Sequence, residues 1–82
     1  GIVVDNGGSG ALTLTANGTV IGTERQGIYA KNLESATDLT IFANNVTGGQ
    51  NGIAAVQLGT GDLTITIVEG GNVSSTIMSV IV

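Results

Sequence analysis

Residues 27–51 read GIYAKNLESATDLTIFANNVTGGQN, and residues 52–76 read GIAAVQLGTGDLTITIVEGGNVSST. Both segments open with Gly-Ile, place a Leu-Thr-Ile triplet eleven or twelve residues after the first glycine, and close with a polar stretch. Self-similarity at a fixed period is the signature of repeat proteins, in which each repeat packs on the next. This repeat is the feature of the sequence that decides the fold.

The period extends over the whole chain of 82 residues. Repeats begin at Gly1, Gly27, Gly52 and Ile77, which gives spacings of 26, 25 and 25 residues. Short alternating apolar runs separated by Gly-, Asn- and Asp-rich corners are typical of strands, and no helical spacing of apolar residues persists. We therefore predict an all-β single domain, a single-stranded parallel β-helix (β-solenoid) with three short strands per coil. Its coils are 1–26, 27–51 and 52–76, with a partial coil at 77–82.

The coil is predicted to be right-handed, because parallel crossover connections almost always are. Stacking coils about 4.8 Å apart brings equivalent side chains into contact along the axis. The predicted inward-facing columns are Ile2, Ile28, Ile53 and Met78; Val4, Ala30, Ala55 and Val80; Leu12, Leu39 and Leu63; Leu14, Ile41 and Ile65; with a shorter apolar position at Val20, Val46 and Val73.

Two ladders of polar residues follow from the same alignment. Amide side chains recur directly after the first strand of each coil, where they can hydrogen-bond along the axis and close the turn. Threonines recur on the outer side of the second strand, where β-branched residues suit a solvated sheet. The amide ladder is Asn6, Asn32 and Gln57, and the threonine ladder is Thr13, Thr40 and Thr64.

Composition narrows the possible functions. The net charge is −4, and Arg25 and Lys31 are the only basic residues, so phosphate backbones would find few partners and no nucleic-acid partner is expected. No apolar run approaches the roughly 18 residues of a transmembrane helix, so no membrane insertion is expected. The chain has no Cys and no His, which removes thiolate metal sites and the commonest general base. We expect no enzyme activity, no catalytic, cofactor-binding or metal-binding residues, and no cofactor.

Acidic residues offer an alternative that points to catalysis. Asp38 and Asp62 precede the second strand of successive coils, where two stacked carboxylates could bind a cation or shift each other's protonation, as in a polysaccharide lyase or hydrolase. Against this, Asp in such a position commonly binds nearby backbone groups in a turn. The GTGD sequence at 59–62 resembles a phosphate or calcium loop, but it lacks the following helix or the nine-residue spacing that those loops need.

Two further surface patterns have both a functional and a structural interpretation. Asn17, Asn45 and Asn72 each begin an Asn-X-Thr/Ser glycosylation sequence that recurs once per coil, and we interpret them as one stacked turn. The regular threonine ranks suggest an ice-binding face, although Phe42 interrupts the second rank. Threonine is also simply a favourable exposed strand residue. The charged corner residues at positions 24, 25, 31 and 34 are interpreted as solvated surface.

Three phrases carry a resemblance to a known family: GIYAKN at 27–32, NVTGGQNGI at 45–53 and GTGDLTITI at 59–67. In repeat style the sequence resembles the passenger domain of Gram-negative autotransporters, which are exported β-helices carried to the cell surface. The resemblance implies a secreted or cell-surface location exposed on the outer membrane, a long parent protein, and a structural or adhesive spacer function with a host or cell-surface ligand.

Partners are predicted from the ends of the solenoid. Neither end of the sequence looks like a natural terminus or a polar cap, and the strands at Ile2–Val4 and 78–82 would present open edges that pair with another chain. We expect the partners to be neighbouring coils of the same parent protein, or other copies stacked end to end. A self-assembling solenoid module is therefore one alternative function, and a non-catalytic piece of a polysaccharide lyase-like β-helix is another.

Overall fold

The computed structural model describes the backbone of residues 1–81 and their side chains, except those at positions 69, 75, 76, 78, 80 and 81. Over this range the chain is all-β, as predicted, and its strands form one parallel, five-stranded sheet with the order β1-β3-β4-β2 and β5 paired to β4. The sheet is open and curled. The strands are β1 (Ile2–Asn6), β2 (Leu12–Ile21), β3 (Gln26–Asn32), β4 (Leu39–Gln57) and β5 (Leu63–Ile81).

The first set of pairings joins β1, β3 and the second half of β4. Side chains in β1 alternate between half-buried and exposed, as the pleat of a strand requires. Its inward residues lie opposite their equivalents in β3, and those lie opposite equivalents in β4. The resulting columns are Ile2, Ile28 and Ile53; Val4, Ala30 and Ala55; and Asn6, Asn32 and Gln57.

The second set joins β2, the first half of β4 and the first half of β5. Leu12 lies opposite Leu39, which lies opposite Leu63, and the outward threonines beside them are paired in the same register. The other apolar columns of this set are Leu14, Ile41 and Ile65; Ala16, Ala43 and Ile67; and Val20, Val46 and Val73.

Burial depends on the position of a strand in the stack. Leu39 and Ile41, in the middle, are 0% exposed, whereas Leu12 and Leu63, above and below Leu39, are only partly buried. Each fully buried aliphatic side chain contributes roughly 1.5–3 kcal/mol relative to an exposed one. The core is therefore strongest in β3 and β4 and weaker at both ends of the stack.

β4 and β5 are each 19 residues long, so segments expected as separate short strands follow one another without a break. Irregularities in the pairing of β4 with β5 occur between Ala43 and Asn45 and between Thr47 and Ile53. Such bulges bend a strand and increase its twist. They mark the corners at which the sheet curls.

Gly27, in β3, packs against the second of these corners and has no room for a side chain. It is buried, and a Cβ atom there would lie 2.8 Å from the carbonyl oxygen of Gly52 and 2.9 Å from that of Thr47. Two backbones therefore approach too closely for any side chain between them.

The predicted placement of Met78 is wrong by one residue. Ile77, not Met78, lies opposite Ile53, and Met78 lies opposite Ala54; the Met78 side chain is outside the described residues. The same shift places Ser79 opposite Ala55, and Val80, whose side chain is also outside the described residues, opposite position 56. The cause is a shorter turn before β5: Asn32 and Leu39 are seven residues apart, whereas their partners Gln57 and Leu63 are six apart, so the last repeat is one residue shorter than a constant period predicts. A slip of one residue reverses the face on which a side chain lies.

Candidate functional site

Among the described residues, the polar site with the most side-chain hydrogen bonds is the corner at which β1, β3 and β4 end. Asn32 and Gln57 are both 0% exposed there. The side-chain oxygen of Asn6 accepts a hydrogen bond from the Gly8 N–H at 3.0 Å, and that of Gln57 accepts one from the Gly59 N–H at 3.1 Å. In both cases the amide holds the backbone two residues further on, as in an Asx-type turn.

The amide nitrogens connect the end of one strand to the start of the next. Asn32 Nδ2 donates to the carbonyl of Asp38 at 2.9 Å and to that of Thr37 at 3.4 Å. Gln57 Nε2 donates to the same Thr37 carbonyl at 2.7 Å and to the Asp62 carbonyl at 3.1 Å. Two buried amides from neighbouring strands thus share one acceptor. This arrangement fixes the turn and accounts for the burial of two polar side chains.

The ladder changes character along the stack. Asn6 Nδ2 donates directly to Asn32 Oδ1 at 3.2 Å, which is the amide-to-amide contact expected of an Asn ladder. Between Asn32 and Gln57 the connection instead runs through the shared Thr37 carbonyl. Glutamine has one more methylene than asparagine, so its amide reaches further across the corner.

A hydrogen bond joins the side chain of Asp38 to the backbone of Asp62. Asp38 Oδ1 accepts a hydrogen bond from the Asp62 N–H at 2.8 Å, and both residues are exposed. The Asp38 carboxylate therefore positions the residue that precedes β5. Among the described residues, no group of three or more His, Cys, Asp or Glu could hold a metal ion.

The outer face of the second set of pairings carries the threonine ladder. Thr13, Thr40 and Thr64 lie opposite one another, and beside them Phe42 lies between Thr15 and Thr66 with 39% of its surface exposed. Phe42 is the central residue of this face and interrupts the second row of hydroxyl groups.

The three glycosylation sequences do not stack as one turn. Asn45 lies opposite Asn72, but Thr19, not Asn17, lies opposite Asn45. The prediction for Asn17 is therefore wrong, because two residues of β2, Asn17 and Gly18, occupy the corner that Asn44 alone occupies in β4.

A groove at the corner before β3 was missed by the sequence analysis. It encloses about 490 Å³ and is lined by Val3, Tyr29 and residues of the 22–26 corner, including the charged pair Glu24 and Arg25. The sequence contains one signal for it, since Tyr29 is the only tyrosine and lies at an outward position of its strand. A half-buried aromatic ring beside polar groups is a common feature of binding sites.

The comparisons with known proteins identify no relative. No protein-family model matches the chain, and neither the curated proteins nor the solved structures contain a match. Within the described part of the chain, no helix is long and apolar enough to span a membrane.

Proposed function

We propose that this chain is a non-catalytic segment of a right-handed, single-stranded parallel β-helix, with three coils and a partial fourth. The observation that carries the proposal is the register, in which like residues lie opposite one another across three strands, as Leu12, Leu39 and Leu63 do. In such a repeat protein each coil buries its apolar side chains mainly against its neighbours. Each coil therefore adds a fixed increment to the length of the β-helix.

The segment serves as a structural and adhesive spacer in a secreted, autotransporter-like bacterial surface protein. Successive coils hold a distal region away from the cell, and the outer face makes contact with ligands at the host or cell surface. Support for this assignment comes from the repeat style of the sequence, from the polar outer row of threonines, and from the use of the Asp38 carboxylate in a backbone hydrogen bond. The parent gene is its direct test, since flanking coils and a C-terminal translocating barrel are expected.

Coil insertion tests the β-helix itself. One or two extra copies of residues 27–51, inserted after Asn51, would each place a coil between identical or equivalent neighbours. Small-angle X-ray scattering should show that the particle lengthens by about 4.8 Å per copy with an unchanged cross-section. The free energy of unfolding should increase with each copy, because every inserted coil adds a buried interface.

The control for this experiment is an insertion of the same 25 residues in shuffled order, which preserves composition but not register. It should lower stability and lengthen the particle only as a disordered loop would. A particle that grows in cross-section with the native copies, or that loses stability as copies are added, would contradict the β-helix.

Self-assembly by end-to-end stacking is the second candidate function. The specific observation in its favour is incomplete burial at both ends of the stack, where Leu12 and Leu63 are only partly covered while Leu39 is fully buried. Among the described residues, β1 pairs only with β3, and β5 pairs only with β4, so each has an open edge. Open parallel edges are templates for pairing with another chain.

Matched lysine substitutions test the stacking. Ile77→Lys places a charge in the edge strand β5, and Phe42→Lys places one on the outer face of the middle strand; the native side chains are 49% and 39% exposed. Light scattering across a concentration series should show association that Ile77→Lys reduces and Phe42→Lys leaves unchanged. A wild-type chain that stays monomeric at the highest concentration would exclude this function.

A further inference from the structure

The corner at Asn17 and Gly18 lies outside the regular ladder of β2. Ala16 lies opposite Ala43 and Thr19 lies opposite Asn45, so Asn17 and Gly18 together face the single residue Asn44. This is the arrangement of a β-bulge, in which the extra residue lacks a regular partner. The Asn17 side chain is exposed, and within the described residues it forms no hydrogen bond.

The side-chain position of Gly18 faces open space. A Cβ atom built on Gly18 would meet no heavy atom within 4 Å. Glycine also has no side chain to hinder attack by its own nitrogen and can adopt conformations closed to other residues. The Gly18 nitrogen can therefore approach the side-chain carbonyl carbon of Asn17 by rotation within two adjacent residues.

We propose that Asn17 is a site of spontaneous deamidation and isoaspartate formation. The Gly18 backbone nitrogen attacks Asn17 Cγ and gives up its proton, a new N–C bond closes a succinimide ring, and the Cγ–Nδ2 bond breaks to release ammonia. Water then adds to one of the two ring carbonyls. Opening of the ring yields aspartate when the new N–C bond breaks, and isoaspartate when the original peptide bond breaks.

Asn6-Gly7 is an internal comparison with the same dipeptide. Asn6 Nδ2 donates to the Gly10 carbonyl at 3.1 Å and to Asn32 Oδ1 at 3.2 Å, and Asn6 Oδ1 accepts from the Gly8 N–H at 3.0 Å. These three hydrogen bonds hold the amide away from the following nitrogen. We expect deamidation at Asn6 to be about 100-fold slower than at Asn17, which corresponds to roughly 1 kcal/mol for each hydrogen bond that must break.

The third such dipeptide, Asn51-Gly52, lies in a regular part of the sheet. Asn51 pairs with Gln26 on one side and with the backbone of Thr76 on the other, and Gly52 is buried. Ring closure would require this pairing to open. Asn17 is therefore expected to react fastest of the three.

The modification has a structural consequence at the same corner. Either product adds a negative charge to a chain whose net charge is −4. Isoaspartate also adds a carbon to the main chain beside the Asn17 carbonyl, which accepts a hydrogen bond from Asn44 Nδ2 at 3.2 Å. Loss of that bond loosens β2 from β4 at the bulge.

Timed incubation of the folded chain in mildly alkaline buffer, followed by trypsin digestion, tests the proposal. Peptide 1–25 contains both Asn6 and Asn17, and tandem mass spectrometry separates them by fragment masses. Enzymatic methylation of isoaspartate gives a second readout. Conversion at Asn17 should exceed conversion at Asn6 and Asn51, whereas in denaturant Asn6 and Asn17 should react at similar rates.

Gly18→Ala is the matched variant. The added methyl group meets no atom in the folded chain, and the φ of Gly18 is not among the positive values, so the variant should fold as the wild type does. Its alanine should slow conversion of Asn17 severalfold and leave Asn6 unchanged. If Asn6 converts as fast as Asn17 in the folded chain, or if Asn17 reacts only after unfolding, the proposal is wrong.

Discussion

The same substitution, Leu to Ala, at three stacked positions should have three different costs. Leu39 is 0% exposed and lies between Leu12 and Leu63, which are partly buried. We expect Leu39→Ala to destabilise the chain most, because it alone removes a side chain that is enclosed on both sides along the stack.

The magnitudes follow from the buried carbon atoms. Replacing Leu with Ala removes roughly three carbons, and at about 0.8 kcal/mol each a fully buried site loses about 2.4 kcal/mol of transfer free energy. The cavity left at Leu39 adds about 1 kcal/mol, which gives about 3.5 kcal/mol. At Leu12 and Leu63 part of the side chain is already in contact with water and no closed cavity forms, so we expect a smaller cost of roughly 1.5–2 kcal/mol.

Urea denaturation followed by far-ultraviolet circular dichroism measures these differences, since the chain has no tryptophan. It should be done at low concentration, where the proposed end-to-end stacking would not contribute. At high concentration, stacking would cover the end residues and raise the cost at Leu12 and Leu63 toward the value for Leu39. Equal costs at all three positions in the dilute sample would refute the argument that the middle of the stack carries the core.

Three further predictions concern the polar corner. Asn32→Ala should cost about 2–3 kcal/mol in urea denaturation, because it removes the hydrogen bonds that the buried amide donates to the Thr37 and Asp38 carbonyls and accepts from Asn6; a cost near zero would show that water replaces the amide. Gly59→Ala should lower the melting temperature, because its Cβ would lie 2.5 Å from a backbone carbonyl oxygen. Gly10→Ala is the control and should not lower it, since its Cβ would have nothing within 4 Å. Equal melting temperatures for the two variants would contradict the close packing at Gly59. Asp38→Ala should cost about 1 kcal/mol through loss of its hydrogen bond to the Asp62 N–H, and Asp62→Ala should be neutral; the reverse order in thermal denaturation would contradict the assignment.

The pairing of residues along the strands could be predicted because alternation in the sequence reports which side of a strand is buried. Leu12, Leu39 and Leu63 begin runs in which apolar and polar residues alternate, and a slip of one residue between those runs would expose the apolar side. The amide positions follow from the same alignment. Their acceptors do not, because the shared Thr37 carbonyl depends on the path of a turn.

The predictions from the sequence failed at the corners between strand segments. A constant repeat length conceals insertions and deletions in the turns, such as the extra residue of β2 at Asn17 and Gly18 and the shorter turn before β5, and this is why Asn17 and Met78 were placed incorrectly. The groove beside Tyr29 was missed for a related reason. It depends on how residues 22–26 pass over the end of β1, and short apolar and polar patterns carry little information about such a path.

The corner beside Asn44 has a consequence for the evolution and engineering of this chain. It holds one residue in β4, two in β2 and four, 68–71, in β5, where Gly70 has a φ of 83°, yet the strands before and after it remain paired. The number of residues in this corner can therefore change without altering the strand pairing on either side. A peptide epitope or recognition loop grafted here would be displayed from a single side, with its size chosen independently of the scaffold.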